Sequence, residues 1–222
     1  MSSAASDVYK RQDRIGGLMM YGIPNMKLDK SIIDMRTEIM EEEGIKFHVN
    51  TDVGGTGENS ISMEALVNNN DIVLLSTGAT KPRDLPIKNR EGAGVYFAME
   101  FLGQNTKSLL DHELKENDYI DAKGKDVIVI GGGDTGNDCL GTSLRHGCKT
   151  LTNFEILPEL PSERMDNNPW PLFPRIYKVD YGHEESREVF GKDPREYSVS
   201  GKEFLRDKNG KLTGIKTVKV DK

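Results

Sequence analysis

Three glycines, Gly131, Gly133 and Gly136, directly follow an apolar run at residues 127–130. This is the G-x-G-x-x-G spacing of a dinucleotide-binding turn between a strand and a helix. The first glycine permits the sharp turn and the second lets the backbone approach a pyrophosphate. The third lets the helix pack closely on the strand. The spacing therefore predicts a nucleotide-binding βαβ unit at this point of the chain.

Two further features agree with that prediction. Backbone N–H groups at the start of the helix, around Asp134 and Thr135, would bind phosphate oxygens with help from the helix dipole. The next strand, 150–154, leads to Glu155, which stands 24 positions after Gly131 (155 − 131). An acid near this position hydrogen-bonds the ribose 2′-hydroxyl in NAD-binding folds, and no arginine stands there to bind a 2′-phosphate. The sequence predicts NADH as the coenzyme, with NADPH as the alternative.

Two other interpretations of the glycines stay open at this point. Glycine-rich turns follow strands in many proteins for purely structural reasons. A methyltransferase-type loop also pairs glycines with an acid after the second strand. The agreement of strand, turn, helix and acid favours the dinucleotide site.

Composition limits the remaining classes. The 222 residues are 36% hydrophobic and 30% charged, with a net charge of −6. This charge gives no general attraction to nucleic acid or to an anionic membrane, so neither is an expected partner. Cys139 and Cys148 are too few for an iron–sulfur cluster, which needs about four thiolates. The four histidines lack metal-ligand spacing, and His146 is interpreted as a cation at the carboxyl end of the glycine-motif helix. We expect no metal and no catalytic side chain.

The elements that position these residues alternate between strands and helices. A helix is predicted over 28–43, with Leu28, Ile32, Met35 and Ile39 on one face and Asp29 at its start. A strand at 45–49 and a helix capped by Ser62 follow. The apolar run 71–75 is predicted to be a buried parallel strand. The order indicates an α/β fold with mainly parallel sheets.

The second half of the chain is less regular in sequence. Short helices are predicted at 98–102 and 108–110, and the proline-rich residues 156–182 are predicted to form an irregular loop. Asn209 and Gly210 are typical of a hairpin turn between two strands.

Four segments resemble one family: residues 15–30, 76–87, 127–139 and 153–175. Together they resemble the small subunit, or C-terminal domain, of glutamate synthase, across nearly all of residues 13–222. The first two segments are also similar to related flavin reductases, such as the electron-entry part of dihydropyrimidine dehydrogenase.

The resemblance implies a Rossmann-like, two-dinucleotide-binding flavoprotein fold of the disulfide-reductase type. Residues 13–82 would be a partial FAD-binding domain and residues 83–222 an NAD(P)H-binding domain. Residues 1–12 are expected to be an unstructured leader foreign to the rest. The implied flavin contacts are Gly16, Gly17 and Leu18 at the ribityl chain, Ile23 and Pro24 at the isoalloxazine, Val53 at the adenine, and Thr77 and Gly78 where the chain leaves the FAD domain.

The implied function is electron input. Hydride would pass from NADH or NADPH to FAD, and the complete enzyme would make glutamate from glutamine and 2-oxoglutarate. Iron–sulfur clusters and FMN would belong to the complete enzyme only, and the partner would be the large subunit or domain, in the cytoplasm or a plastid. The first FAD glycine motif and the returning FAD segment are missing, so we expect an incomplete FAD domain that is inactive alone. The alternatives are an input subunit of another flavin–iron–sulfur oxidoreductase and a non-catalytic nucleotide-binding docking module.

Overall fold

The computed structural model describes residues 6–221. The chain divides into two compact units, with the boundary between Pro82 and Arg83. Within the described residues, no helix combines the length and the apolar character needed to cross a bilayer.

The first unit contains short strands and three helices. Its elements are β1 (Ser6–Tyr9), α1 (Leu18–Tyr21), α2 (Ser31–Glu42), β2 (Ile45–His48), β3 (Asp52–Val53), β4 (Ser60–Ile61) and α3 (Met63–Asn69). Strand β1 pairs in parallel with β2, and β3 pairs in parallel with β4. Met20, Ile33 and Leu66 are buried, so each helix contributes one side chain to the interior.

Local sequence signals explain the helix ends in this unit. The Ser62 hydroxyl accepts the N–H of Ala65 over 3.0 Å and caps α3 as predicted. The Asp29 carboxylate accepts the N–H of Ser31 over 3.0 Å, so it satisfies the first turn of α2 from one position before the cap residue, Lys30. The buried Lys30 ammonium donates to the carbonyls of Met19 and Ile23, which holds the α1 turn against α2.

Three expectations for the first unit are wrong. Residues 6–9 form β1, so this part of the predicted leader is structured. Residues 71–75 form no strand: Ile72 is 86% exposed and Leu74 is 85% exposed, because no described strand runs beside them to pair with their backbone. The predicted apolar face of α2 is partly exposed at Ile32, Met35 and Ile39. The buried residue of this helix is instead Ile33.

The second unit carries the longer elements. They are α4 (Ala98–His112), β5 (Asp126–Ile130), α5 (Asp134–His146), β6 (Thr150–Phe154), α6 (Tyr181–Phe190), β7 (Arg195–Glu196), β8 (Val199–Arg206) and β9 (Leu212–Lys219). Strands β5, β6 and β7 form a parallel sheet in that order, and helices α5 and α6 connect them. Strands β8 and β9 form the antiparallel hairpin that Asn209 and Gly210 predict.

Helix α5 is the centre of packing in this unit, since residues 137–143 are all buried. Leu140 is completely buried and forms a core with Ala122, Cys148 and Leu151. Val127 and Val129 of β5 pack against this core from the sheet. The βαβ unit predicted from the glycine spacing is therefore a packed, continuous structure.

Two predictions for this unit need correction. One helix, α4, replaces the two short helices, because Asn105, Thr106 and Ser108 are buried with Leu102 and interrupt the apolar period that would have revealed it. Residues 156–180 are irregular as predicted, but α6 begins at Tyr181 and the sequence did not indicate it.

Candidate functional site

The turn after β5 has a backbone that requires glycine at two positions. Gly131 has a φ of +115°, a region that favours glycine. Its N–H donates to the Phe154 carbonyl over 2.8 Å and so joins the end of β5 to the end of β6. A Cβ at Gly136 would lie 2.3 Å from the Gly131 carbonyl oxygen, so the helix approaches the strand end too closely for any side chain.

The amino terminus of α5 is open. Gly133 is the cap residue, and as a glycine it has no side chain that could cap the N–H groups of the first turn. A Cβ at Gly133 would meet no atom within 4 Å, and residues 131–135 are exposed. Free N–H groups at the positive end of a helix dipole form an anion-binding site. The main chain at Asp134 and Thr135 is therefore available to phosphate oxygens.

The side chain of Asn153 holds this turn from the neighbouring strand. Asn153 is completely buried on β6, and its Nδ2 donates to the carbonyls of Val129 (3.1 Å) and Gly131 (2.9 Å). The Gly131 carbonyl, which lies close to Gly136, thus also accepts a hydrogen bond from the Asn153 side-chain amide. No sequence pattern indicates this residue, because an asparagine within a strand carries no positional signal.

Glu155 lies at the end of β6 beside the turn. Its main chain is fixed on both sides, because its N–H donates to the Glu196 carbonyl and its carbonyl accepts the N–H of Val199. Its Oε1 accepts the N–H of Leu157 over 3.1 Å. A Cβ at Gly132 would lie 2.1 Å from its Oε2, so the carboxylate rests against the turn backbone. The acid and the glycines that the sequence singled out are neighbours in space.

A cleft of about 270 Å³ opens where these residues meet. Residues 132–134, Asn137 and Glu155 line it from the βαβ unit. A second lining set comes from the chain before and after α6: Tyr177, Lys178, Asp180, His183, Arg195 and Tyr197. A third set is apolar: Leu157, Pro158, Leu160, Phe173, Pro174 and Ile176. The volume is near the lower end for small-molecule pockets (~300 Å³ upward), so the cleft suits one half of a dinucleotide.

An ion-pair network forms part of the cleft wall. The Arg195 side chain is only 7% exposed, and it donates through Nε and Nη2 to both carboxylate oxygens of Asp193, at 2.9 and 2.7 Å. It also donates through Nη1 to the Lys178 carbonyl (2.7 Å) and through Nη2 to the Tyr177 hydroxyl. Although burial opposes it, the hydrogen bonds from Arg195 hold the pKa of Asp193 below its usual range. The guanidinium is therefore engaged within the protein.

Two buried donors at the cleft have no partner among the described residues. The Asn137 Oδ1 accepts the N–H of Gly182, which leaves its Nδ2 unpaired. The His183 Nδ1 accepts the N–H of Asp180, which leaves its Nε2 unpaired. Burial, and then the charge of Arg195, lowers the pKa of His183, so the ring is neutral near pH 7 with its proton on Nε2. Both atoms offer an N–H to an acceptor.

The predicted flavin contacts fall in the first unit. Gly16, Gly17 and Leu18 open α1, and the N–H of Ile23 returns to the Leu18 carbonyl over 2.9 Å, so these residues lie together. Pro24 follows directly and is buried. Val53 belongs to the separate β3–β4 pair, and Thr77 and Gly78 are exposed in an irregular segment.

The other reactive side chains of the described residues add no second site. Burial raises the pKa of Cys139 to about 12, so this thiol is unreactive. His146 is neutral near pH 7 because burial lowers its pKa, and it donates to Asn105, so its interpretation as a cation at the helix end is wrong. His112, Glu116 and Asp118 bring ligand atoms within 4.8 Å of one another, but all three are exposed, as acidic surface groups without an ion commonly are.

Comparison with known proteins gives relatives along nearly the whole chain. A glutamate synthase (NADH) of Schizosaccharomyces pombe is 56% identical over 214 residues, which are 96% of this chain and 10% of that protein. The glutamate synthase (NADH) of Saccharomyces cerevisiae is 54% identical over 214 residues, with the same coverage. The glutamate synthase (NADPH) small chain of Bacillus subtilis is 47% identical over 215 residues, 97% of this chain and 43% of that one. No family model matches the chain.

Solved structures agree on the fold. FprA of Mycobacterium tuberculosis in complex with NADPH superposes with a TM-score of 0.60 at 16% identity, over 96% of this chain and 60% of that one. A mutant of the same protein gives the same TM-score over 97% of this chain and 62% of that one. The predicted Rossmann-like α/β fold is confirmed.

This chain thus spans about a tenth of the fungal relatives and less than half of the bacterial small chain. Its identity to all three is well above the level at which only the fold is shared. By sequence, the chain is therefore homologous to part of the glutamate synthase small chain.

Proposed function

We propose that this chain is the electron-input module of a glutamate synthase, and that it binds NADH for hydride transfer to FAD. The observation that carries the proposal is the contact of Glu155 with the Gly131–Gly136 turn at the head of an uncapped helix. The similarity to NADH and NADPH glutamate synthases supports it.

In this proposal the second unit is the NAD(P)H-binding domain. The main chain at Gly131, Gly133, Asp134 and Thr135 binds the pyrophosphate, and the bare Gly136 lets α5 come close enough to present its N–H groups. Glu155 accepts a hydrogen bond from the ribose. The two unpaired buried donors at the cleft fit this use, because a bound nucleotide offers several acceptors and a buried unpaired donor is costly. When bound, the nicotinamide supplies a hydride and the flavin accepts it.

The coenzyme preference follows from two charges. A 2′-phosphate placed at Glu155 would be repelled by its carboxylate, whereas a 2′-hydroxyl would donate to it. The buried cation of the same cleft, Arg195, is already held by Asp193, Tyr177 and the Lys178 carbonyl. These contacts leave the guanidinium poorly placed to offset the repulsion. NADH is therefore the proposed coenzyme, and NADPH the weaker ligand.

The first unit is proposed to be part of the FAD-binding domain. Gly17 has a φ of +55° and a Cβ there would meet no atom within 4 Å, so its backbone is bare and open. Gly78 has the same character, with a φ of +67°. Such positions allow a ligand to approach the main chain. Gly16, Leu18, Ile23, Pro24, Val53 and Thr77 are the remaining proposed flavin contacts.

The complete enzyme is part of the same proposal. The partner is the large subunit or domain of glutamate synthase, where glutamine and 2-oxoglutarate yield glutamate. The iron–sulfur clusters and FMN belong to that larger assembly, and its location is the cytoplasm.

The first test is calorimetric titration of the chain with NADH and, separately, with NADPH. We expect NADH to bind at least several-fold more tightly. Glu155→Gln should reduce that preference, because the repulsion of the 2′-phosphate is removed. Glu196→Gln is the matched control, since Glu196 is an exposed acid at the end of the neighbouring strand β7 and does not line the cleft. If a folded chain binds neither coenzyme, the proposal is wrong.

A second test separates electron input from docking. The test uses a longer chain that matches the full length of the bacterial small chain and is supplied with FAD. Its flavin absorbance should fall when NADH is added in the absence of oxygen, because the flavin is reduced. Nucleotide binding with no change in the flavin spectrum would instead favour a non-catalytic docking module.

A further inference from the structure

The loop over residues 161–177 is tightly held although it has no regular structure. Its ends are joined by a hydrogen bond from the Tyr177 N–H to the Pro161 carbonyl, 2.7 Å long. Asn168, which is 5% exposed, donates to the Phe173 carbonyl over 3.1 Å and accepts the N–H of Arg175 over 2.8 Å. The guanidinium of Arg164 binds the carbonyls of Asn168 and Leu172. The backbone around Phe173 is therefore fixed from both sides.

This fixed loop nevertheless presents large apolar side chains to solvent. Trp170 is 83% exposed, Phe173 is 77% exposed and Leu172 is 54% exposed. Large exposed apolar patches mark binding surfaces in soluble proteins. Among these three side chains, only Phe173 lines the cleft.

Phe173 belongs to the apolar set of residues that lines the cleft, and this set includes Leu157 beside Glu155. The Leu157 N–H is bonded to the Glu155 carboxylate, and Leu160, Phe173 and Ile176 complete the set. The Lys178 ammonium lies 4.5 Å from the centroid of the Phe173 ring, and Phe173 is 77% exposed. A ligand whose ribose meets Glu155 would carry its attached base into this apolar part of the cleft.

We propose that Phe173 is the aromatic platform on which the adenine ring of the nicotinamide nucleotide stacks. The inference rests on the proposed function, because it takes Glu155 as the partner of the adenosine ribose. Adenine is flat and has a π-face, and aromatic side chains bind bases by stacking. The platform belongs to the 161–177 loop rather than to the βαβ unit that holds the phosphates.

The test compares two highly exposed aromatic residues of one loop, of which only Phe173 lines the cleft. Phe173→Ala should weaken the binding of NADH and of AMP roughly 5- to 150-fold, the range seen when a stacking side chain is removed. Trp170→Ala, the matched control, should leave both affinities unchanged. Reduced nicotinamide mononucleotide, which lacks adenine, should bind both variants as it binds the parent chain. Circular dichroism and thermal unfolding confirm that each variant is folded.

A direct readout of stacking comes from the double variant Trp170→Phe, Phe173→Trp. AMP should quench the fluorescence of its single tryptophan. Equal AMP affinity for Phe173→Ala and the parent, or an equal loss in Trp170→Ala, would overturn the platform while leaving the nucleotide site intact. A parent chain that binds no nucleotide would overturn the proposed function, and the platform with it.

Discussion

The side-chain amide of Asn153 donates to the carbonyl oxygen of Gly131, 2.9 Å away, from a strand that begins only after α5 has ended. The same carbonyl oxygen lies close to the Cα of Gly136. The start of α5 can approach the end of β5 this closely because Gly136 has no side chain. The second strand of the βαβ unit thus fixes the shape of the turn between the first strand and its helix. One buried amide therefore links the end of β5 and the glycine turn to the neighbouring strand.

Asn153→Ala should lower the free energy of unfolding by about 1–3 kcal/mol, because the carbonyls of Val129 and Gly131 lose the donor that the completely buried Asn153 amide supplies. NADH affinity should fall as well, since the turn is no longer held. Urea denaturation and calorimetry measure the two effects. Thr152→Ala, one residue earlier on the same strand, is the control. An Asn153→Ala chain with unchanged stability would show that the amide contributes nothing to the turn.

The second and third glycines of the turn should respond differently to alanine. Gly136→Ala brings a Cβ to 2.3 Å from a backbone oxygen, so we expect a loss of about 1–3 kcal/mol or more in stability from overpacking. Gly133→Ala meets open space at a φ of −80° and should leave the melting temperature nearly unchanged. It should still weaken NADH binding, because the Cβ occupies the approach to the pyrophosphate.

Thermal unfolding and NADH titration of both variants check this pair. If Gly133→Ala binds NADH as tightly as the parent, the phosphates do not lie against this turn. If Gly136→Ala is as stable as the parent, the close approach of α5 to β5 is not maintained in solution.

Asp193→Asn should change the coenzyme preference. The substitution removes the charge that Arg195 and Arg187 share, and the Arg195 guanidinium at the cleft is then less firmly held. A partly released cation attracts a 2′-phosphate, so the ratio of NADH to NADPH affinity should fall. The melting temperature should also fall, because a largely buried guanidinium loses its counter-ion.

Calorimetric titration of Asp193→Asn with both coenzymes measures the ratio. Asp207→Asn is a suitable control, because Asp207 is exposed in the hairpin turn and does not line the cleft. An unchanged ratio, with NADPH still the weaker ligand, would mean that Glu155 alone sets the preference.

Stability should decrease in mild acid because of two buried imidazoles. Burial lowers the pKa of His146, and burial followed by the charge of Arg195 lowers the pKa of His183. The unfolded chain, with histidine pKa values of about 6.5, therefore binds more protons than the folded chain below that pH. The free energy of unfolding should fall as pH drops through about 6.5 toward the lower folded values.

Urea denaturation at a series of pH values between neutral and mildly acidic checks the sign. His146→Gln should be less stable than the parent at neutral pH, because it loses the packing between Phe101 and Tyr119, but its stability should fall less steeply with acid. Parallel curves for the parent and this variant would show that His146 does not carry the pH dependence.

The sequence predicted the parts of this fold that depend on neighbours along the chain. The strand at 127–130, the glycine turn and the helix that ends at Gly147 follow one another directly, and backbone sterics and helix capping act over a few residues. The same holds for Ser62 before α3 and for Asn209 and Gly210 between β8 and β9. These predictions needed no knowledge of distant contacts.

Other features depended on residues far apart in sequence. The run at 71–75 looks buried, but burial requires neighbouring strands, and the described residues supply none beside it. The sequence pattern predicts two short helices where the structure has one, α4, because the buried face of α4 is largely polar. A polar residue is buried only where its packing partners allow.

The candidate site shows the same division. The sequence by itself determined the turn glycines and the acid that follows β6, because their spacing is fixed by one strand, one turn and one helix. Only the tertiary structure brought Asn153 to Gly131, Arg195 to the cleft and Phe173 to the apolar lining of that cleft. These contacts join residues separated by loops of irregular length, and loop geometry is set by hydrogen bonds between distant groups rather than by a local pattern.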